Sequence, residues 1–185
     1  MIYVIDHNDS FTHNVVHQLS LFDKVECDNY NEVKENKIKQ ASTIVFSPGP
    51  GNPKNYPNTS KIYKKFKGKK KIIGICLGFQ HILFCEGAKI IEQKKIYHGF
   101  QSNVKVINKQ SLFKKGKVFK VGRYHSLKLK EPFKTNNFEI TMRCLNSNVA
   151  MAFENNRDKI YGFQFHPESF LTINGNILIK KILSA

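Results

Sequence analysis

The first half of the chain alternates short apolar runs with segments whose apolar residues recur at helical spacing. The short runs predict four strands, at 2–5, 24–27, 42–47 and 70–75. Apolar residues at 11, 15, 16, 19 and 22 predict a helix over 10–22, with Ser10 as its N-cap. Strands that alternate with helices in this way favour βαβ units and a parallel sheet.

Three further helices are predicted in this half. They cover about 31–40, 58–67 and 78–86, and Gly87 would end the last one. The segment "PGPGNPKNYPN" at 48–58 interrupts the pattern with four of the six prolines. Because proline lacks a backbone N–H and restricts the chain, we expect neither a helix nor a central strand there.

The second half has a different pattern. Between 88 and 155 it contains several β-rich runs and few helical patterns, which predicts additional, partly antiparallel strands. A buried strand is predicted at 160–166 and a closing helix at 172–183. With 185 residues and 41% apolar residues, we expect one domain over 1–185 with a real core.

Composition excludes several classes of protein. No apolar run approaches the about 18 residues of a membrane span, and "MIYVID" lacks the basic start of a signal peptide. Four cysteines without a CxxC pair indicate neither a disulfide framework nor a zinc site. We therefore expect a protein of the reducing cytoplasm, without membrane association.

The net charge of +16 raises the hypothesis of nucleic-acid binding. However, almost all of the positive charge is lysine, and arginine occurs only at Arg123, Arg143 and Arg157. Arginine is the residue that pairs with phosphate and guanine through two parallel hydrogen bonds. The charge therefore predicts a solvated basic face, open to weak attraction by polyanions at low salt, and no specific nucleic-acid partner.

A G-x-C-x-G pattern at 74–78 follows the fourth predicted strand and precedes a predicted helix. It matches the G-x-S-x-G nucleophile elbow, which is a strained turn between a strand and a helix with the nucleophile at its centre. Glycines two residues before and after the nucleophile prevent steric clashes within this turn. The N-terminus of the next helix would increase the thiolate fraction of Cys76. The alternative is a buried thiol of the core.

His166 is the candidate base for this thiol. It ends a predicted strand, and Pro167 favours an extended conformation for it. Residues i and i+2 of an extended segment face the same way, so Glu168 can lie beside His166 and hold its second ring nitrogen. Cys76, His166 and Glu168 would form a complete triad for acyl transfer. For His166 alone, a surface histidine is the alternative.

The segment "SPGPGNP" at 47–53 is a third candidate element. Glycines flanked by prolines after a strand make a rigid loop with accessible backbone N–H groups, which can stabilise an oxyanion or bind a small polar substrate. An ordinary surface loop is the alternative.

Together these motifs, with "DHNDSFTHNVV" near the start and "RYHSL" at 123–127, resemble those of the class I glutamine amidotransferases. Within that family they are most similar to the small subunits of anthranilate synthase and para-aminobenzoate (aminodeoxychorismate) synthase. The resemblance covers about residues 3–183. It implies an α/β fold with a flavodoxin-like, doubly wound, mostly parallel sheet and additional antiparallel strands.

The resemblance also implies a reaction. Cys76 would attack the side-chain amide of L-glutamine, His166 would transfer protons, and Glu168 would orient His166. The freed ammonia would pass to a chorismate-binding large subunit, and no cofactor or metal would be needed. We expect the surface that contacts this subunit to lie around the pocket mouth, near residues 7–10, 98–100 and 123–127. The family's oxyanion hole and glutamine contacts match, by position, Gly49, Pro50, Gly51, Leu77, Gln80, Ser126 and Leu127.

Two positions depart from the family pattern. Phe79 stands where the family usually has histidine, and Phe100 where the chorismate-linked subunits commonly have lysine. The first puts in doubt a packing or signalling role of that position, and the second puts in doubt the details of partner contact. We expect the chemistry to survive the first departure, because the family's histidine at that position is not part of the triad.

Other interpretations stay open at this point. A stand-alone amidase or γ-glutamyl peptidase could use the same fold, and a non-catalytic polyanion-binding protein could have kept it. His13 and His17 are spaced to share a metal on a helix, but no acidic pattern supports such a site. Cys27, Cys85 and Cys144 are interpreted as core or incidental thiols. The motifs do not separate a tryptophan from a folate pathway.

Overall fold

A computed structural model describes residues 1–133 and 135–185. The strands are β1 (Ile2–Asp6), β2 (Val25–Asn29), β3 (Thr43–Phe46), β4 (Lys71–Ile75), β5 (Ile90–Glu92), β6 (Phe100–Val106), β7 (Val118–Arg123), β8 (Leu127–Leu129), β9 (Glu139–Cys144), β10 (Ala150–Asn155) and β11 (Ile160–Phe163). The helices are α1 (Thr12–Ser20), α2 (Glu35–Gln40), α3 (Pro57–Phe66), α4 (Leu77–Cys85) and α5 (Gly175–Leu183).

The main sheet has nine strands in the order β2-β1-β3-β4-β11-β10-β9-β6-β7. The first five pair in parallel, which is the flavodoxin order, and the other four pair antiparallel. Strands β5 and β8 form a separate antiparallel pair. The predicted fold class is confirmed, including the antiparallel strands between 88 and 155.

Successive residues of the parallel strands face two different cores. In β1, Ile2 and Val4 pack in a cluster with apolar residues of α1 and α5. Tyr3 and Ile5 face the other way, into a cluster with apolar residues of α2, α3 and α4. This alternation follows from the two-residue period of a strand, and it explains why the interior strands β1, β3 and β4 are mostly apolar on both faces.

Several predicted boundaries are wrong. Helix α1 begins at Thr12 with Phe11 in the cap position and no side-chain cap, so Ser10 is not its N-cap. The Asp9 carboxylate accepts the Phe11 N–H instead, at 2.8 Å. The proline-rich segment also contains helical structure, because Pro53–Asn55 form a 3₁₀ turn and Pro57 begins α3. Proline is favoured there, since the first helical N–H has no intrahelical acceptor.

The other differences are in length. The helix predicted over 31–40 is confined to Glu35–Gln40, and the closing helix begins at Gly175 rather than at 172. The strand predicted over 160–166 ends at Phe163. Residues 164–168 therefore leave the sheet at the carboxyl end of β11.

The carboxyl ends of β4 and β11 meet because these strands are parallel neighbours. The backbone N–H of Cys76, just after β4, donates to the carbonyl of Phe163 at 2.7 Å. This topology brings Cys76 and the segment 164–168 together, although 90 residues separate Cys76 from His166. Ligand sites of open α/β sheets form at this edge.

Candidate active site

Cys76 occupies a strained turn between β4 and α4. Its φ of 52° and ψ of −100° are rarely adopted by a residue with a side chain. The flanking glycines are required by space, because a Cβ on Gly78 would lie 2.2 Å from the Phe46 carbonyl oxygen. A Cβ on Gly74 would lie 2.5 Å from the carbonyl carbon of Gly78. The turn geometry predicted from G-x-C-x-G is therefore present.

His166 and Glu168 form a buried pair beside this turn. Nδ1 of His166 lies 2.6 Å from Oε1 of Glu168, and their side chains are 2% and 0% exposed. Burial acts to lower the pKa of His166, but the charge of Glu168 and the neighbouring sulfur of Cys76 raise it well above its usual value. This arrangement favours the protonated imidazole. The predicted proximity of His166 and Glu168 is confirmed.

The second nitrogen of His166 is free to react. Within the described residues, Nε2 is buried and has no hydrogen-bond partner at conventional distance. The sulfur of Cys76 is close enough to raise the pKa of the ring, and catalytic hydrogen bonds are often long before substrate binds. Nε2 is therefore available to exchange a proton with the thiol or with a leaving group.

Gln164 is a residue of this site that the sequence analysis missed. Its side chain is fully buried, and its Nε2 lies 3.8 Å from the sulfur of Cys76. Its Oε1 accepts a hydrogen bond from Gln80 at 3.0 Å. The i, i+2 argument that paired His166 with Glu168 applies equally to Gln164 and His166, so the signal was present in "GFQFHPES".

The loop after β3 lies against the elbow. A Cβ on Gly49 would come within 2.6 Å of the Leu77 side chain, so the backbone of Gly49 packs directly on that side chain. Leu77 is the first residue of α4, and its N–H has no acceptor within the helix. Gly51 has a φ of 74°, which favours glycine, and the Tyr56 hydroxyl donates to the carbonyl of Pro50 at 2.8 Å. This loop is held in place.

Gln80 and Leu127 are joined directly, as expected for two residues of one pocket. Gln80 is buried, and its Nε2 donates to the Leu127 carbonyl at 3.2 Å. Ser126, just before β8, is exposed. The structure thus brings Gly49 onto Leu77 and joins Gln80 to Leu127.

Two aromatic residues that the sequence analysis did not single out for the site cover His166. The ring of Tyr124 lies 4.9 Å from that of His166, and the ring of Phe11 lies 5.3 Å away. The two rings also contact each other, at 4.8 Å. Cys76 is only 7% exposed. The triad is therefore nearly closed to solvent, and a substrate would have to displace part of this cover.

The sequence also suggested a contact surface at the pocket mouth, over 7–10, 98–100 and 123–127. Part of this expectation is wrong, because His7, Arg123 and His125 are buried. The Arg123 guanidinium stacks on Tyr97 at 3.4 Å, and its Nε donates to Nε2 of His125 at 3.0 Å. These residues support the 123–127 loop from inside.

The exposed members of that surface include His98, Phe100 and Ser126. Phe100 is 48% exposed, and Lys95 lies over its ring at 5.2 Å. Phe79, the other departure from the family pattern, is fully buried against Phe153 with ring centres 5.1 Å apart. It belongs to the core cluster around α4 rather than to the pocket.

The remaining candidates lie outside the site. His13 and His17 are exposed on α1, and in the described ranges no group of three or more His, Cys, Asp or Glu side chains could hold a metal. The thiols of Cys27, Cys85 and Cys144 are free and distributed over the core and its margins. None of the helices that the structure describes could cross a membrane.

Three buried histidines near the site predict how stability depends on pH. Burial lowers the pKa of His7 to about 3, of His81 to about 4 and of His125 to about 3, from 6.5. Between pH 6.5 and these values the unfolded chain binds more protons than the folded one. Stability therefore falls on acidification, by about 1.4 kcal/mol per pH unit for each histidine. His166, whose pKa is raised, contributes stability below pH 6.5 and loses it as pH rises.

We expect the free energy of unfolding, measured in urea, to decrease from pH 7.0 to pH 5.0. His81→Gln removes one of the three groups and should reduce this slope by about 1.4 kcal/mol per pH unit. An unchanged slope in the variant, or a wild-type protein that becomes more stable on acidification, would contradict the assignment of neutral buried histidines.

Comparison with known proteins agrees with this geometry. Residues 3–185 match the sequence model of the family described as glutamine amidotransferase class-I. The chain is 36% identical to anthranilate synthase component 2 of Lactococcus lactis over 100% of its own length and 94% of that protein. It is 37% identical to anthranilate synthase component 2 of Helicobacter pylori, over 97% and 94% of the two chains.

Solved structures share the fold. A GMP synthase subunit from Thermoplasma acidophilum superposes with a TM-score of 0.84 at 21% identity, over 99% of this chain and 92% of the other. PurLQS of Thermotoga maritima gives a TM-score of 0.71 at 16% identity, over 99% and 96%. The family match over nearly the whole sequence and the full-length relatives agree: the chain belongs to the class-I glutamine amidotransferases.

Proposed function

We propose that this glutamine amidotransferase hydrolyses L-glutamine through a triad of Cys76, His166 and Glu168. The observation that carries the proposal is the strained elbow that presents Cys76 next to the buried His166–Glu168 pair. The nucleophile, the base and its orienter come from two adjacent strand ends, which is the arrangement that acyl transfer needs.

The reaction follows from the protonation of this pair. The Cys76 sulfur attacks the side-chain amide carbon of glutamine and forms a tetrahedral intermediate. His166 gives a proton to the departing nitrogen, which leaves as ammonia, and a thioester forms. Water then attacks the thioester while His166 accepts its proton. Glutamate leaves, and the sulfur is regenerated. Glu168 stabilises the protonated imidazole in both steps.

The surrounding backbone provides the remaining groups. The N–H groups of Gly49 and Leu77 stabilise the oxyanion of the tetrahedral intermediates, since the two residues are in contact and the helix N-terminus favours negative charge. Pro50, Gly51, Gln80, Ser126 and Leu127 bind the substrate glutamine. No cofactor or metal takes part. The free thiol suits a reducing compartment such as the cytoplasm.

The acceptor of the ammonia is a chorismate-using synthase subunit. The full-length relatives are named component 2 of anthranilate synthase, which favours an anthranilate-forming partner over an aminodeoxychorismate-forming one. The site is closed in the isolated chain, because Cys76 is 7% exposed and the rings of Phe11 and Tyr124 pack on His166. Partner contact at the exposed residues His98, Phe100 and Ser126 would open it.

The isolated chain is therefore expected to release glutamate slowly. The rate should rise when the chorismate-binding subunit is added, and rise further with chorismate, because docking opens the site. The measurement compares glutamate release by the chain alone, with the partner, and with the partner plus chorismate. Full activity of the isolated chain, unchanged by any chorismate-using partner, would instead support a stand-alone amidase.

A further inference from the structure

Gln164 lies between two residues of the proposed site without a role in the triad. It is fully buried, and it contacts the Cys76 sulfur through Nε2 at 3.8 Å and Gln80 through Oε1 at 3.0 Å. A buried amide without hydrogen bonds is costly, so a glutamine at this position needs partners for both its ends. Here one end reaches the nucleophile and the other reaches Gln80.

The chemistry of the neighbours fixes the orientation of both amides. The Leu127 carbonyl can only accept, so the atom of Gln80 that lies 3.2 Å from it must be the NH₂ group. The same NH₂ group contacts Gln164, so the atom of Gln164 on that side must be its oxygen. The NH₂ group of Gln164 is therefore left to face the sulfur. The orientation follows from one carbonyl group and needs no arbitrary choice of amide rotamer.

We propose that Gln164 is a positioning residue that donates a hydrogen bond to the Cys76 sulfur and links it, through Gln80, to the Leu127 carbonyl. This inference rests on the proposed function of the site and extends it. We call this chain of hydrogen bonds, from Cys76 through Gln164 and Gln80 to Leu127, the relay. It joins the nucleophile to the 123–127 loop, which contains two of the proposed glutamine contacts, Ser126 and Leu127.

A donor aimed at the sulfur has a defined electrostatic effect. Hydrogen bonding to the charged form of an acid favours that form, so a variant that lacks the donor 3.8 Å from the sulfur should form the thiolate less readily. The relay also fixes the sulfur in the turn beside His166 Nε2. Glutamine is suited to this task because it donates to sulfur at one end and accepts from Gln80 at the other.

The test is the pH dependence of alkylation at Cys76 by iodoacetamide, followed by mass spectrometry of the Cys76 peptide. Gln164→Met keeps the volume and removes the donor. The inflection of its alkylation profile should lie about one pH unit above that of the wild type, with several-fold slower alkylation at pH 7. Gln80→Met should shift the inflection in the same direction but less, because the Gln164 amide is then only loosely oriented.

Gln18→Met is the matched control. Gln18 is also a buried glutamine, but its Nε2 donates to Pro167 and Asn176 rather than to the sulfur. In this variant, the pH profile of Cys76 alkylation should match that of the wild type. Circular dichroism and the urea midpoint establish that each variant is folded.

Gln164→Glu is a second variant, in case Gln164→Met does not fold. One carboxylate oxygen can still accept from Gln80, while the other places negative charge beside the sulfur, so the inflection should rise further than in the methionine variant. Inflections within 0.2 of a pH unit of the wild type, in whichever folded Gln164 variants are obtained, would overturn the proposal. Alkylation does not require glutamine turnover. A wild-type chain that lacks glutaminase activity even with its chorismate-binding subunit would therefore refute the proposed function, while this measurement still tests the relay.

Discussion

Cys76→Ser is expected to remove glutamine-dependent activity, with a loss of at least about 10³-fold if the triad acts as a unit. The serine hydroxyl occupies nearly the same volume as the thiol in the turn between β4 and α4. It is a far weaker acid and a far weaker nucleophile than the thiol, so His166 cannot activate it to the same extent. The assay is glutamate release by the complex with its chorismate-binding subunit.

Two controls separate the chemistry from folding and assembly. Ammonia-dependent synthesis by the partner should survive in the mutant complex, because added ammonia bypasses the glutamine site. Cys144→Ser changes another buried thiol, outside the elbow, and should retain glutamine-dependent activity. If Cys76→Ser still uses glutamine at near the wild-type rate, the nucleophile assignment is wrong.

His166→Ala is expected to cost about 10²- to 10⁴-fold in glutamine-dependent turnover, the usual contribution of a general acid–base group. Glu168→Gln should cost less. Its side-chain oxygen can still accept from Nδ1 of His166, which lies 2.6 Å from the carboxylate in the wild type. The glutamine side chain lacks the negative charge that raises the pKa of the imidazole. Each pKa unit lost by His166 is a tenfold decrease in its equilibrium constant for protonation.

His13→Ala is the control for this pair, because His13 is exposed on α1 and touches no residue of the triad. It should turn over at the wild-type rate. Turnover is measured at saturating glutamine, so that weaker substrate binding does not enter the comparison. Equal losses in His166→Ala and Glu168→Gln would argue against Glu168 as the group that orients His166.

Sequence patterns predicted the fold well where they depend on local periodicity. The β1 strand could be identified because Ile2–Ile5 form a short, fully buried run of apolar and aromatic residues. The elbow could be identified because only glycine leaves enough space at positions 74 and 78. Helix starts were less predictable. Ser10 has the chemistry of an N-cap, but Asp9, one residue earlier, forms the turn that leads into α1.

The site was predictable only where the chain itself brings residues together. His166 and Glu168 lie only two residues apart, so their contact is local. The structure forms it through a turn at Pro167–Glu168, in which the Ser169 N–H donates to the His166 carbonyl at 3.3 Å, rather than through an extended strand. The contact of Gln80 with Gln164 depends on the register of β11 against β4, which the sequence pattern does not reveal. The burial of His7, Arg123 and His125 was missed for a related reason, because these polar side chains are held in the core by partners outside their own short motifs.

The central claim is that the Cys76 thiol attacks the side-chain carbonyl of glutamine, and a reactive analogue tests it most directly. A chloro-ketone or diazo-ketone analogue of glutamine is incubated with the chain and its partner subunit, with and without excess L-glutamine. Mass spectrometry then locates the label among Cys27, Cys76, Cys85 and Cys144. The account predicts a single adduct, on Cys76, that excess glutamine suppresses. An absence of label on Cys76, or labelling of the four thiols without protection by glutamine, would contradict it.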